Sequence, residues 1–149
     1  RLMEGTVGWD RAFDEYVRWM APIGMSPRRI AGSAEIGDVK ITPGGRAFFM
    51  FSAANRDPAH FNDPDSFDIT RDTRKHIAFG AGPHFCAGAF AARALVADVA
   101  LPMMFARLGG LRLDLDRPAS FGGWAFRGPL TMYVRWDHDW AEDRKEAAR

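Results

Sequence analysis

The stretch FGAGPHFCAG, Phe79 to Gly88, constrains this chain more than any other. It holds the only cysteine in 149 residues, set in a glycine-rich loop that leads into a long apolar helix. With no second thiol, Cys86 has no intramolecular disulfide partner, and a free thiol is most often a small buried hydrophobe. The neighbours argue for more. Gly80, Gly82 and Gly88 provide backbone freedom and close approach, which a loop needs when it lays its main chain against a flat ligand or aims amides at a sulfur. From about Ala87 the pattern turns helical, so Cys86 is expected at a helix N-terminus, where unpaired amides and the macrodipole favour a thiolate.

Upstream, Phe13, Tyr16, Val17 and Met20 fall at helical spacing from about Asp10 until Pro22 stops the run, and Glu15 and Arg18 share one face of that helix. Short strand-like runs follow at Arg29–Ile36, Val39–Ile41 and Arg46–Phe51, joined by tight turns as a small sheet. Residues 53–70, rich in Asn, Asp and Pro, predict an irregular packed loop. Beyond Cys86, Phe90, Ala94, Ala97, Leu101, Met104 and Leu108 keep a helical period among Ala and Val. That spacing predicts a mostly buried helix, kinked or shortened at Pro102 and ended by Gly109-Gly110. Leu111, Leu113 and Leu115 alternate with Arg112 and Asp114 as a half-buried strand, Thr131–Trp136 reads as another, and FGGWAFRG turns between them. The last dozen residues read as a solvated tail.

A thiolate is a soft metal ligand, and as the axial ligand of haem iron it donates density that favours O–O cleavage. Phe79, Gly82, His84, Cys86 and Gly88 match the haem-binding signature of the cytochrome P450 family. By ordinary residue frequencies, Phe, Gly, Cys and Gly at those spacings arise by chance at roughly one start position in several hundred thousand. The chain from about Asp10 to Trp136 resembles the bacterial members of that family. The resemblance implies an α+β fold, mainly helical with small sheets, in which 1–149 is the C-terminal haem-binding portion of the domain and the N-terminal part with the distal oxygen-side helix is absent.

Residue by residue, the resemblance implies Cys86 as axial ligand to haem b, backed by Phe79, Gly80, Gly82 and Gly88. Arg29 and His84 are expected on the haem propionates, since a guanidinium grips a carboxylate with two parallel bonds. Glu15 and Arg18 resemble the family's Glu-x-x-Arg pair, a buried brace for the haem pocket. Met25 and Ser26, next to Gly24, match a substrate-lining segment, and Ala125 and Phe126 match a turn that reaches over the substrate. NRDP and PDSFD resemble the family's meander, with Ser66 standing where most members have an arginine that completes a triad with Glu15 and Arg18; whether Arg56 compensates is open.

The implied activity is a haem-thiolate monooxygenase that activates O2 to hydroxylate a small hydrophobic substrate in the cytoplasm. Electrons would come from a ferredoxin and its reductase, docking near a basic patch of Arg74, Lys75 and Arg93. A net charge of +1 offers no field for nucleic acid, and Arg93, Asp98 and Pro102 interrupt the apolar helix as a membrane span. Two alternatives stand beside this reading. One is a haem-binding or structural remnant without oxygen chemistry; the other is a zinc site of Cys86 with His84, His76 or His60, at spacings of no common zinc module.

Overall fold

The computed structural model describes residue 2 and residues 4–139; from residue 140 on, the expected tail lies outside them. The first helix, α1 (Trp9–Met20), carries Asp10 in its first turn and Arg18 in its last, the arrangement its dipole favours. It ends on Ala21 in the left-handed region, whose N–H bonds the Val17 carbonyl, and Pro22 bars continuation. Its buried stripe is unusual in pairing apolar Phe13, Val17 and Met20 with the fully buried Glu15 and Arg18.

Phe13 and Val17 pack against Ala97 of α3 (Ala89–Arg107), with Phe79, Ala92 and Val96 around them. Pro102 does not end this helix. The middle, Ala94–Ala100, is wound as π-helix, and Pro102 then falls in the first turn of the α-helical segment Leu101–Arg107, where a missing N–H costs little. The expectation of a mostly buried helix is also corrected. Ala89 and Ala97 are buried, whereas Phe90, Leu95 and Val99 are exposed, because a helix that is apolar on several faces meets only α1 along one of them. By length and composition alone it could cross a membrane. Its ion pair from Arg93 to Asp14 and its seat on Phe13 instead dock it as one layer of a packed globular unit.

The strand run expected over 29–36 divides. β1 (Ser26–Arg29) pairs antiparallel with β4 (Arg46–Phe49), while β2 (Ala34–Ile36) pairs with β3 (Val39–Ile41), so two separate ladders replace one sheet. The break follows Ile30, whose N–H and carbonyl are taken by Gly45 and Gly44. Phe51 opens a short helix, α2 (Phe51–Ala54), instead of closing a strand.

Six short strands form nested hairpins: β5 (Leu108–Gly109) with β10 (His138–Asp139), β6 (Arg112–Leu113) with β9 (Val134–Arg135), and β7 (Ser120–Gly122) with β8 (Gly128–Thr131). The run expected over Thr131–Trp136 is thus split between β8 and β9. Here the apolar alternation fails. Asp114 is only 2 % exposed and Leu115 is 89 % exposed. The Asp114 carboxylate accepts bonds from Arg135, Arg117 and the Asp116 amide, and these contacts, Arg135 foremost, hold it at about 2. A fully partnered carboxylate takes the interior place that pattern alone assigns to leucine.

The tip between β7 and β8 folds back on the chain after α1. Gly24 N–H donates to the Ala125 carbonyl and Arg127 N–H to the Pro22 carbonyl, each at 2.8 Å, and Ile23 bridges Phe126. A Cβ at Gly24 would lie 2.9 Å from the Trp124 carbonyl oxygen, so this approach requires glycine.

Candidate functional site

The cysteine loop is closed by its own main chain. Cys86 N–H donates to the Phe79 carbonyl at 2.8 Å, and Ala89 N–H to the Cys86 carbonyl at 3.2 Å. Between them lies a single 3-10 turn, Gly82–His84. Gly80 and Gly82 have φ of 72° and 64°, which other residues adopt only with strain. Gly88 has an ordinary φ of −88°, so its part is proximity: a Cβ there would stand 3.9 Å from the Cys86 sulfur. The thiol itself is exposed.

It opens on a cavity of about 270 Å³ that Phe79, Gly80 and His84 share with Val17 of α1 and with Ser26 and Arg28 of β1. The arginine expected here, Arg29, is elsewhere. Of the two neighbouring arginines, Arg28 lines this cavity together with Ser26, whereas Arg29 is exposed and lines only an adjoining opening, which it shares with Arg28 and Arg46. Met25 is buried in the core rather than on the cavity wall. Ala125 and Phe126 reach the segment Pro22–Gly24 through their backbone, beside the cavity rather than on its surface.

Behind the loop, Glu15 and Arg18 form a buried brace. Arg18 Nε donates to Glu15 Oε2 at 2.6 Å and Nη2 to Oε1 at 2.8 Å; the remaining donors go to the carbonyls of Asn55, Pro64 and Ser66. All five N–H groups of the guanidinium are thereby used, and Phe61 packs on its face. Asn55 continues the chain of contacts, its Oδ1 accepting the Ile77 N–H at 2.8 Å just before Phe79. Helix, meander and cysteine loop are thus one bonded unit.

The place left by Ser66 is taken by Arg71, which the sequence reading missed. Its Nε reaches Glu15 Oε1 at 3.3 Å, and its other nitrogens bond the carbonyls of Asn62, Asp63 and Ser66. Arg56 does not compensate; it pairs with Asp65 and the Trp19 carbonyl. Spacing hid Arg71 because it reaches Glu15 from five residues beyond the expected position. Arg71→Ala is expected to lower the unfolding free energy by about 1.5–3 kcal/mol, the worth of hydrogen bonds to charged groups. Adding Ser66→Arg should restore part of it. Urea midpoints that do not move in the single variant would contradict this role.

Asp14, one residue before the brace, accepts Arg93 Nε at 2.9 Å. Burial works against ionisation of both Asp14 and Glu15. It is outweighed at Asp14 by contacts with His76 and Arg93, and at Glu15 by bonds from Arg18, the Asp68 amide and Arg71, leaving both below their ordinary values of 3.8 and 4.5. Carboxylates with lowered native pKa favour the folded form above their unfolded values and lose that advantage as pH falls through the native ones. Stability should therefore hold from neutral pH down to about 4.5 and decline below it, read by circular dichroism during acid titration. Stability that rises across that window would contradict the assignment.

Two further expectations change. Arg93 is bound to Asp14, Arg74 pairs with Asp72 at 2.6 Å, and the charge of Lys75 also acts on Asp72, so carboxylates offset much of the expected basic patch. For zinc, among the described residues no three His, Cys, Asp or Glu side chains converge. His76 faces Asp14, and His60 lines another cavity.

A half-open apolar cavity lined by a sulfur, a guanidinium and an imidazole suits a flat ligand that carries both a soft metal and negative groups, as haem does. The family model for cytochrome P450 matches residues 9–105. Over 105 residues, 70% of the chain, it is 44% identical to 6-deoxyerythronolide B hydroxylase of Saccharopolyspora erythraea. Over 144 residues, 91% of the chain, it is 38% identical to biflaviolin synthase of Streptomyces coelicolor. The crystal structure of P450BioI with an acyl carrier protein superposes on 87% of the chain with TM-score 0.79 and 32% identity. The chain belongs to the cytochrome P450 family, whose members are haem proteins. It spans 26% and 34% of those two relatives' lengths and 33% of the P450BioI chain.

Proposed function

We propose that residues 1–149 are the C-terminal haem-binding portion of a monooxygenase, with Cys86 as the axial ligand of haem b. The observation that carries this reading is that Cys86, His84 and Arg28 share one cavity. Arg28 and His84 hold the propionates, Arg28 replacing the Arg29 expected from sequence. When bound, haem supplies the activation of O2 for insertion into a C–H bond. The protein's own share is positional. Cys86 offers sulfur from a closed loop, Phe79 anchors that loop through its carbonyl and lines the same cavity, and Gly80 and Gly82 let the main chain turn tightly beside it. The distal oxygen-side helix belongs to the length that the relatives carry beyond the matched region.

Ser26 on the cavity wall, with Met25, Ala125 and Phe126 close by, suits a small hydrophobic substrate. A ferredoxin and its reductase supply the electrons in the cytoplasm, where a lone thiol stays reduced. The test is spectroscopic. Purified protein should carry haem at one equivalent, and reduction under carbon monoxide should give the red-shifted Soret band of thiolate ligation. Turnover with a surrogate ferredoxin and reductase then separates an enzyme from a haem-binding remnant. Haem without that band, or a complete gene product that takes up no haem, overturns the reading.

A further inference from the structure

Three elements meet on the ring of Phe79. From α3, Arg93 lays its guanidinium 4.9 Å from the ring centroid and donates Nε–H to Asp14 Oδ1 of α1 at 2.9 Å. From the loop, His76 packs on the same ring at 5.9 Å between centroids and sets Nε2 3.7 Å from the same Asp14 oxygen. Its Nδ1 accepts the Ala78 N–H at 3.2 Å, which turns Nε2 toward the carboxylate. Phe79 in turn takes the Cys86 N–H on its carbonyl. The Arg93 and Asp14 side chains are 29 % and 24 % exposed, so solvent screens their fields less than it does for a surface pair.

We infer that Arg93, anchored by Asp14 and stacked on Phe79, is a positioning residue that sets the reduction potential of the iron that Cys86 would hold. This rests on the haem-thiolate reading above. Two effects follow from the one arrangement. The stacked cation keeps the Phe79 ring against the loop, and its charge favours the reduced iron, which carries the extra electron. Asp14 offsets part of that charge while fixing where it sits. His76 completes the clamp by packing on the same ring and facing the same Asp14 oxygen.

The test is a spectroelectrochemical titration of the haem-loaded, complete gene product and three variants. Arg93→Met removes the cation and should move the potential to more negative values. Arg93→Lys keeps the cation without the planar stack and should stay nearer the parent than Arg93→Met. Asp14→Asn leaves the cation uncompensated and should move the potential to more positive values. Opposite signs in the Met and Asn variants are a signature that loss of packing alone does not produce. If both shift the same way, or neither shifts while the carbon monoxide band stays in place, the inference is overturned. Should Arg93→Met not load haem, Asp14→Asn and Arg93→Lys still decide: a negative or absent shift in Asp14→Asn refutes it. A parent protein lacking the red-shifted band would refute the haem-thiolate reading instead, which keeps the two failures apart.

Discussion

On the proposed haem-thiolate reading, Cys86→Ser is expected to abolish the red-shifted Soret band of the reduced carbon monoxide complex, and any oxygenation with it, while the unfolding free energy of haem-free protein should stay within about 0.5 kcal/mol of the parent. The separation follows from how the residue is built in. Its sulfur is exposed, and its structural bonds are made by its backbone, to the Phe79 carbonyl and from the Ala89 amide. Serine keeps both bonds at nearly the same volume. What it lacks is a soft anionic donor, since a hydroxyl is harder and far less acidic than a thiol. A large drop in stability would give Cys86 a packing role, and an unchanged band would remove sulfur from the iron.

The opposite separation is expected at the brace. Glu15→Gln and Arg18→Met should each cost about 3–5 kcal/mol, because each strands the other partner in a dry interior. That is a large part of the 5–15 kcal/mol typical of a folded domain. Arg18→Met also takes donors from the carbonyls of Asn55, Pro64 and Ser66. Asn55 joins Arg18 to the Ile77 amide, so retention of haem should fall in step with stability. The double variant Glu15→Gln/Arg18→Met should cost less than the sum of the single ones, because the interaction between the two side chains is then lost only once. Urea denaturation reads all three. Single variants within about 1 kcal/mol of the parent would deny the pair its bracing role.

Much of the site was legible because its chemistry is local. The glycines and cysteine of the loop lie within ten residues, and Glu15 and Arg18 are one helical turn apart. What escaped depends on phase or on distance. Arg28 and Arg29 share one opening, and only Arg28 also reaches the cysteine cavity, a difference of one strand position that spacing does not reveal. Arg71 serves Glu15 across 56 residues, beyond any spacing rule. Asp114 reversed the leucine alternation because two arginines and an amide meet its carboxylate, one of them from β9, and no run of neighbouring residues announces such a meeting. Pro102, expected to kink or shorten the helix, instead lies in the first turn of its last α-helical segment, after π-wound turns that belong to the helix as a whole.

The seam between the β7–β8 tip and the segment after α1 is sewn through peptide groups. Its alignment is therefore indifferent to most of the side chains that project from it, Gly24 excepted. On the reading proposed above, exchanges at Ser26 or Phe126 would alter which compound is accepted while the register of the two segments persists, whereas Met25, buried in the core, is tied to folding. Selection for new chemistry would then have a place to work on the exposed side of this seam.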